Sequence, residues 1–150
     1  THIPAYGPES RGGTSYADVH VADGEVLSPA SPKPNVLIAF NMPSLVKFGP
    51  DVLPGGTIIY DSSVITDYVP VRAGVKVVGV PMSEIAKDLG KIMVKNIVAL
   101  GALQAATGIF PKETFLTAVR RALKDKCAMI PMNEQAFEWG VKAASEVLVP

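Results

Sequence analysis

Asn35-Val36-Leu37-Ile38-Ala39-Phe40 runs straight into Asn41-Met42-Pro43-Ser44, and this junction decides the fold. A continuous apolar run of strand length predicts a strand covered on both faces. The Asn, Pro and Ser that follow stop it and start a short helix through about Phe48. The device recurs twice downstream. Pro54-Gly55-Gly56 turns into Thr57-Ile58-Ile59-Tyr60, which ends at Asp61-Ser62-Ser63, and Val75 to Val80 (VKVVGV) ends at Pro81-Met82-Ser83-Glu84. Ser83 is the expected N-cap of a helix there. From Lys91 onward the pattern is helical: Ile92 to Ala106, Pro111 to Leu123 with Pro111 at the first helical position, and Asn133 to Val147 capped by Asn133.

Strands alternating with helices predict an α/β layered domain, a mostly parallel sheet flanked by helices. Upstream, Ser15 to Val21 alternates with period two and reads as a further strand, whereas Ser28-Pro29-Ala30-Ser31-Pro32-Lys33-Pro34 is too proline-rich for regular structure. His2 falls in a terminal segment expected to fray. In parallel α/β sheets ligands sit outside the carboxyl ends of the strands. Asn41 to Ser44, Asp61 to Ser63 and Pro81 to Ser83 should therefore line one edge.

Composition narrows the function. The 150 residues carry 14 basic and 14 acidic side chains, so no charge excess points to nucleic acid or to an anionic membrane. The most apolar stretch, Ile92 to Phe110, contains Lys95, Asn96 and Gln104, and it reads as a buried helix and not a membrane span. Its Gly101, Ala102 and Ala105 offer a close-approach surface that another helix or a partner subunit could cover. The last helix has a narrower stripe, Phe137, Gly140, Val141 and Ala144, suited to packing on the sheet. Lys112, Glu113, Arg120 and Arg121 read as a solvated face. The single cysteine, Cys127, excludes a disulfide framework and any cysteine cluster. An inert, partly buried thiol is expected, activation by Lys126 being the alternative. The two histidines, His2 and His20, have no ligand-spaced companions. A cytoplasmic location is expected.

One motif stands apart. Tyr6-Gly7-Pro8-Glu9-Ser10-Arg11-Gly12-Gly13-Thr14 sets a guanidinium against two glycines directly before a strand. Glycines let successive amides converge on an anion, and arginine adds a permanently charged fork. A tight surface turn with a solvated arginine is the competing reading. Asn41, at a strand's carboxyl end, can cap the next helix or reach a ligand through its amide. Ser62 and Ser63 face the same choice, with local turn bonding favoured.

The YGPESRGGT loop, then SYADVHVADGEVLSP (15–29), NVLIAFNMPSLVKF (35–48) and LPGGTIIYDSS (53–63), together resemble the gamma subunit or gamma domain of 2-oxoacid:ferredoxin oxidoreductases, in register from Tyr6 to Gly101. The resemblance implies a Rossmann-like domain over residues 1–150. That family opens on a strand and a GxGGQG turn that are missing here, so an N-terminally incomplete domain is expected. It implies an enzyme that oxidatively decarboxylates a 2-oxoacid, joins the acyl group to coenzyme A and sends electrons to ferredoxin in anaerobic metabolism. Thiamine diphosphate, magnesium and iron–sulfur clusters would sit on alpha and beta subunits, with or without a delta, in a hetero-oligomer. This chain would hold no catalytic residue and be inactive alone. Ser10, Arg11, Gly12, Gly13, Thr14 and Asn41 become candidate coenzyme A contacts, with Arg11 on phosphate or, alternatively, on a partner subunit. The GPESRGGT form resembles gamma subunits of 2-oxoglutarate enzymes more than those of pyruvate enzymes. The readings left beside this one are a free-standing coenzyme A or nucleotide-binding module and a purely structural assembly subunit.

Overall fold

In the computed structural model, which describes residues 2–6, 15–26, 32–67 and 72–148, two strands precede the apolar runs. β1 (His2–Tyr6) and β2 (Ser15–Val19) pair antiparallel, with His2 opposite Val19 and Tyr6 opposite Ser15. The expected fraying at His2 is thus corrected. Its strand forms because β2 supplies ladder partners across eight intervening residues, which no local pattern reveals. Pro4 cannot donate to a ladder, so β1 is suited to an edge.

The three apolar runs form a parallel sheet of order β3-β4-β5: β3 (Val36–Ala39), β4 (Thr57–Asp61) and β5 (Lys76–Val80). Val36 lies opposite Thr57, and Thr57 opposite Lys76. Neighbouring β4 residues point to opposite faces, and each face has its own core. Ile58 joins Ala39, Leu45 and Val52 on one side, while Ile59 joins Val78, Val98 and Ala102 on the other. Central β4 is buried almost throughout. In β3 only Ala39 is buried, and Val36, Leu37 and Ile38 are half-exposed. The expectation that β3 is covered on both faces therefore holds in part, because β3 is an edge strand among the described residues.

Five helices dress the sheet among the described residues. α1 (Met42–Phe48) follows β3 directly, and a 3₁₀ turn, Gly49–Asp51, leads from it toward β4. α2 (Met82–Asp88) starts with Pro81 in the cap position. Ser83 lies inside the first turn and is not the cap, since its hydroxyl is committed to Asp61. α3 (Lys95–Thr107) is preceded by a 3₁₀ turn at Ile92–Val94 and ends on Gly108 at φ 62°, a left-handed C-terminus that glycine adopts without strain. Lys76 reaches the last turn of α3, donating to the Ala106 carbonyl at 3.2 Å. In α4 (Lys112–Ala122), Pro111 occupies the extended cap position and not the first helical one.

α5 (Ile130–Leu148) begins before Asn133, which is buried inside the helix and donates through Nδ2 to the Met129 carbonyl at 2.7 Å. Pro131 explains the earlier start. Its fixed φ suits a first turn, where its missing N–H is no loss. The all-round apolar α3 is covered chiefly by α5 through two reciprocal glycine contacts. A Cβ on Gly101 would fall 2.1 Å from the Phe137 carbonyl oxygen, and one on Gly140 would fall 2.1 Å from that of Val98. The stripe Phe137, Gly140, Val141 and Ala144 is buried as expected. Its main partner is α3, and the sheet comes second.

Candidate functional site

The parallel register brings the three carboxyl ends together, and their chemistry is mostly internal. Asp61, at the end of β4, is fully buried. Its Oδ1 accepts from the amides of Ser63 at 3.1 Å and Ser83 at 3.3 Å, while Oδ2 accepts a short hydrogen bond from the Ser83 hydroxyl. The Ser63 Oγ accepts from the Glu84 amide at 3.1 Å, and the Ser62 amide donates to the Val80 carbonyl at 2.9 Å. A carboxylate facing two amides and a hydroxyl is well satisfied. The cluster locks β4, β5 and the first turn of α2 together. The Ser63 amide makes the local turn bond that its sequence context favours, while its hydroxyl reaches α2 and the Ser62 amide reaches β5.

Asn41 divides its functions between its two polar atoms. Oδ1 accepts from the Ser44 amide at 2.9 Å, capping α1, an arrangement typically worth about 1 kcal/mol. The Nδ2 group has no partner among the described residues, and the side chain is exposed.

Ser10, Arg11, Gly12, Gly13 and Thr14 lie outside the described residues, yet the strands that flank them are placed. Tyr16 follows Ser15 on β2, and its ring lies 4.9 Å from Phe48. Lys47 Nζ stands 5.8 Å from the Tyr16 ring and 5.2 Å from that of Phe48. Phe48 ends the helix that Asn41 begins, roughly 10 Å away at 1.5 Å per residue. The described residues therefore set the base of the loop at the far end of α1 from Asn41. Lys47 leaves no signal in the sequence, where a lysine on a short helix looks like any solvated cation.

The remaining candidates make structural contacts. Cys127 is exposed and not partly buried, because it sits in the 3₁₀ turn Cys127–Met129 between α4 and α5, its thiol donating to the Lys124 carbonyl at 3.0 Å. Hydrogen bonds to Glu134 and then Glu113 raise the Arg120 guanidinium above its ordinary pKa, tying α4 to α5 on the solvated face. Among the described residues, no group of three His, Cys, Asp or Glu could hold a metal ion, and no helix is long and apolar enough to cross a membrane.

Residues 1–143 match the protein family described as pyruvate ferredoxin/flavodoxin oxidoreductase. The ketoisovalerate oxidoreductase subunit VorA of Methanothermobacter thermautotrophicus is 41% identical over 145 residues, 95% of this chain and 30% of that protein. The 2-oxoglutarate synthase subunit KorC of Methanocaldococcus jannaschii is 32% identical over 149 residues, 95% of this chain and 76% of the relative. The chain thus spans under a third of the first relative's length and about three quarters of the second's. Among solved structures, the gamma subunit of a keto/oxoacid ferredoxin oxidoreductase from Geobacter sulfurreducens superposes with a TM-score of 0.76 at 29% identity, over 96% of this chain and 79% of that one.

Proposed function

Because the chain belongs to the pyruvate ferredoxin/flavodoxin oxidoreductase family, we propose that it is the gamma component of a multi-subunit 2-oxoacid:ferredoxin oxidoreductase. The observation that carries this reading is the family match, which runs from the first strand pair into the last helix. In the proposed reaction a 2-oxoacid loses carbon dioxide, its acyl group becomes a thioester of coenzyme A, and two electrons pass to ferredoxin. Thiamine diphosphate, when bound on a partner, supplies the carbanion stabilisation that decarboxylation requires. Its one cysteine cannot hold an iron–sulfur cluster, and no residue of this chain is assigned to thiamine diphosphate or its magnesium. Those groups are assigned to alpha and beta subunits, with or without a delta.

The part assigned to this chain is to bind and orient coenzyme A and to hold the catalytic subunits in register. Arg11 pairs with phosphate, Gly12 and Gly13 present amides, and Ser10 and Thr14 supply hydroxyls. Lys47, on the ring pair beside the loop's base, adds a second cation. Asn41 contributes Nδ2, the atom its capping role leaves unused. Two observations bear on the acid. The loop resembles 2-oxoglutarate enzymes, whereas identity is higher to the ketoisovalerate relative, 41% against 32%. Identity over the whole domain outweighs eight loop residues, and a branched-chain 2-oxoacid is the preferred substrate.

Arg11→Ala in the assembled enzyme tests the assignment. Losing one charge-assisted contact costs ~1.5–3 kcal/mol, so the KM for coenzyme A should rise roughly tenfold to a hundredfold with the complex intact. Weakened assembly with an unchanged KM would move Arg11 to a subunit contact. An intact complex with unchanged coenzyme A dependence would remove it from the site. Coenzyme A binding by the isolated full-length chain, with no copurifying subunits, would favour the free-standing module.

A further inference from the structure

The amino edge of the sheet, opposite the strand ends described above, carries two adjoining cavities that share one arginine. Arg72 Nη1 donates to the carbonyl oxygens of Gly49 at 2.9 Å, Pro50 at 3.0 Å and Val52 at 2.9 Å. Three acceptors on one nitrogen fix the guanidinium and close the 3₁₀ turn after α1. The Nε and Nη2 groups have no partner among the described residues. Beside Arg72 lies an open, mostly apolar hollow of about 220 Å³ lined by Leu45, Val46, Gly49, Pro50 and Ile58. Adjoining it through Pro50 and Arg72 is a second, more polar open hollow of about 300 Å³, with Lys33 and Asp51 in its wall.

We propose that this cleft binds a small aliphatic carboxylate of about four to six carbons, with its alkyl body in the apolar cavity and its carboxylate on the Nε–Nη2 edge of Arg72. That edge is the planar, two-donor fork that matches a carboxylate bidentately. The carbonyls already hold the guanidinium in place, so little side-chain freedom is lost on binding. Among the described residues that line the second cavity, Lys33 and Asp51 carry opposite charges, so there Arg72 supplies the remaining charge. A single positive charge fits a monoanion better than a phosphate dianion. The site does not depend on the proposed subunit role.

The probe is 3-methylbutanoate, titrated into the complete subunit while the methyl resonances of Leu45, Val46 and Ile58 are followed by NMR. Saturable shifts confined to those methyls are expected, with the uncharged 3-methylbutanamide binding at least about tenfold more weakly. Arg72→Gln should abolish them, although it could also loosen the turn it holds. Val46→Phe provides the second test. Val46 is 60% exposed, so a larger ring there can fill the cavity while leaving the three carbonyl contacts of Arg72 in place. That variant should lose binding at an unchanged melting temperature. Non-saturating shifts, equal affinity for acid and amide, or undiminished binding by Val46→Phe would each overturn the proposal.

Discussion

Gly101→Ala is expected to destabilise the chain by about 3 kcal/mol and to lower the melting temperature by roughly 6–12 °C. The added Cβ would fall 2.1 Å from the Phe137 carbonyl oxygen and 2.9 Å from the Val141 amide nitrogen. Both are backbone atoms of α5, so no side-chain rotation relieves the clash and the helices must separate. Separation loosens the packing around Phe137, which is fully buried, and forfeits dispersion contacts along the seam. Alanine's helix propensity returns only about 1 kcal/mol. Gly140→Ala strikes the same seam from the other side, at the Val98 carbonyl. Helices parted by one substitution accommodate the second more easily, so the double variant should cost less than the sum. Denaturant unfolding checks both points, and a Gly101→Ala chain within 1 kcal/mol of the parent would contradict the close approach of α3 and α5.

Asp61→Ala should cost about 3–5 kcal/mol, because it leaves the Ser63 and Ser83 amides and the Ser83 hydroxyl without their acceptor in a buried setting. Asp61→Asn separates shape from charge. It keeps one oxygen for the two amides and sets an NH₂ against a hydroxyl that can turn to accept, so a smaller loss of about 1–2 kcal/mol is expected. Equal losses for Ala and Asn would mean that the negative charge itself holds the lock. No loss for Ala would mean that the contacts of Ser63 and Ser83 with Asp61 contribute nothing to joining the strand ends. Asp61 lies at the carboxyl edge, so either variant also reports how firmly that edge is held.

The parallel sheet was legible because NVLIAF, TIIY and VKVVGV are each a strand-length apolar run stopped by turn and cap residues. α1 was legible from Asn41 and Pro43. Caps were read less well, since Ser83 and Asn133 are good caps by residue type, but Ser83 is drawn to Asp61 and Asn133 lies a turn inside a helix that Pro131 can begin. β1 was missed because its partner lies beyond an eight-residue loop, and pairing across such a loop leaves no periodic trace in a segment with a proline. Of the candidate contacts, Asn41 is placed and the loop residues Ser10 to Thr14 are not described. The roles of Lys47 and Arg72 were hidden, because a lysine between two rings and an arginine under three carbonyls are both products of tertiary packing.

The most direct test is dye reduction by the reconstituted complex, with and without this subunit at full length. Coenzyme A is supplied throughout, with 2-oxoglutarate, pyruvate and 3-methyl-2-oxobutanoate in separate runs. Reduction should need both this chain and coenzyme A and run fastest with the branched-chain acid. Reduction that proceeds equally well without the chain, with every acid, would contradict its place as the gamma component.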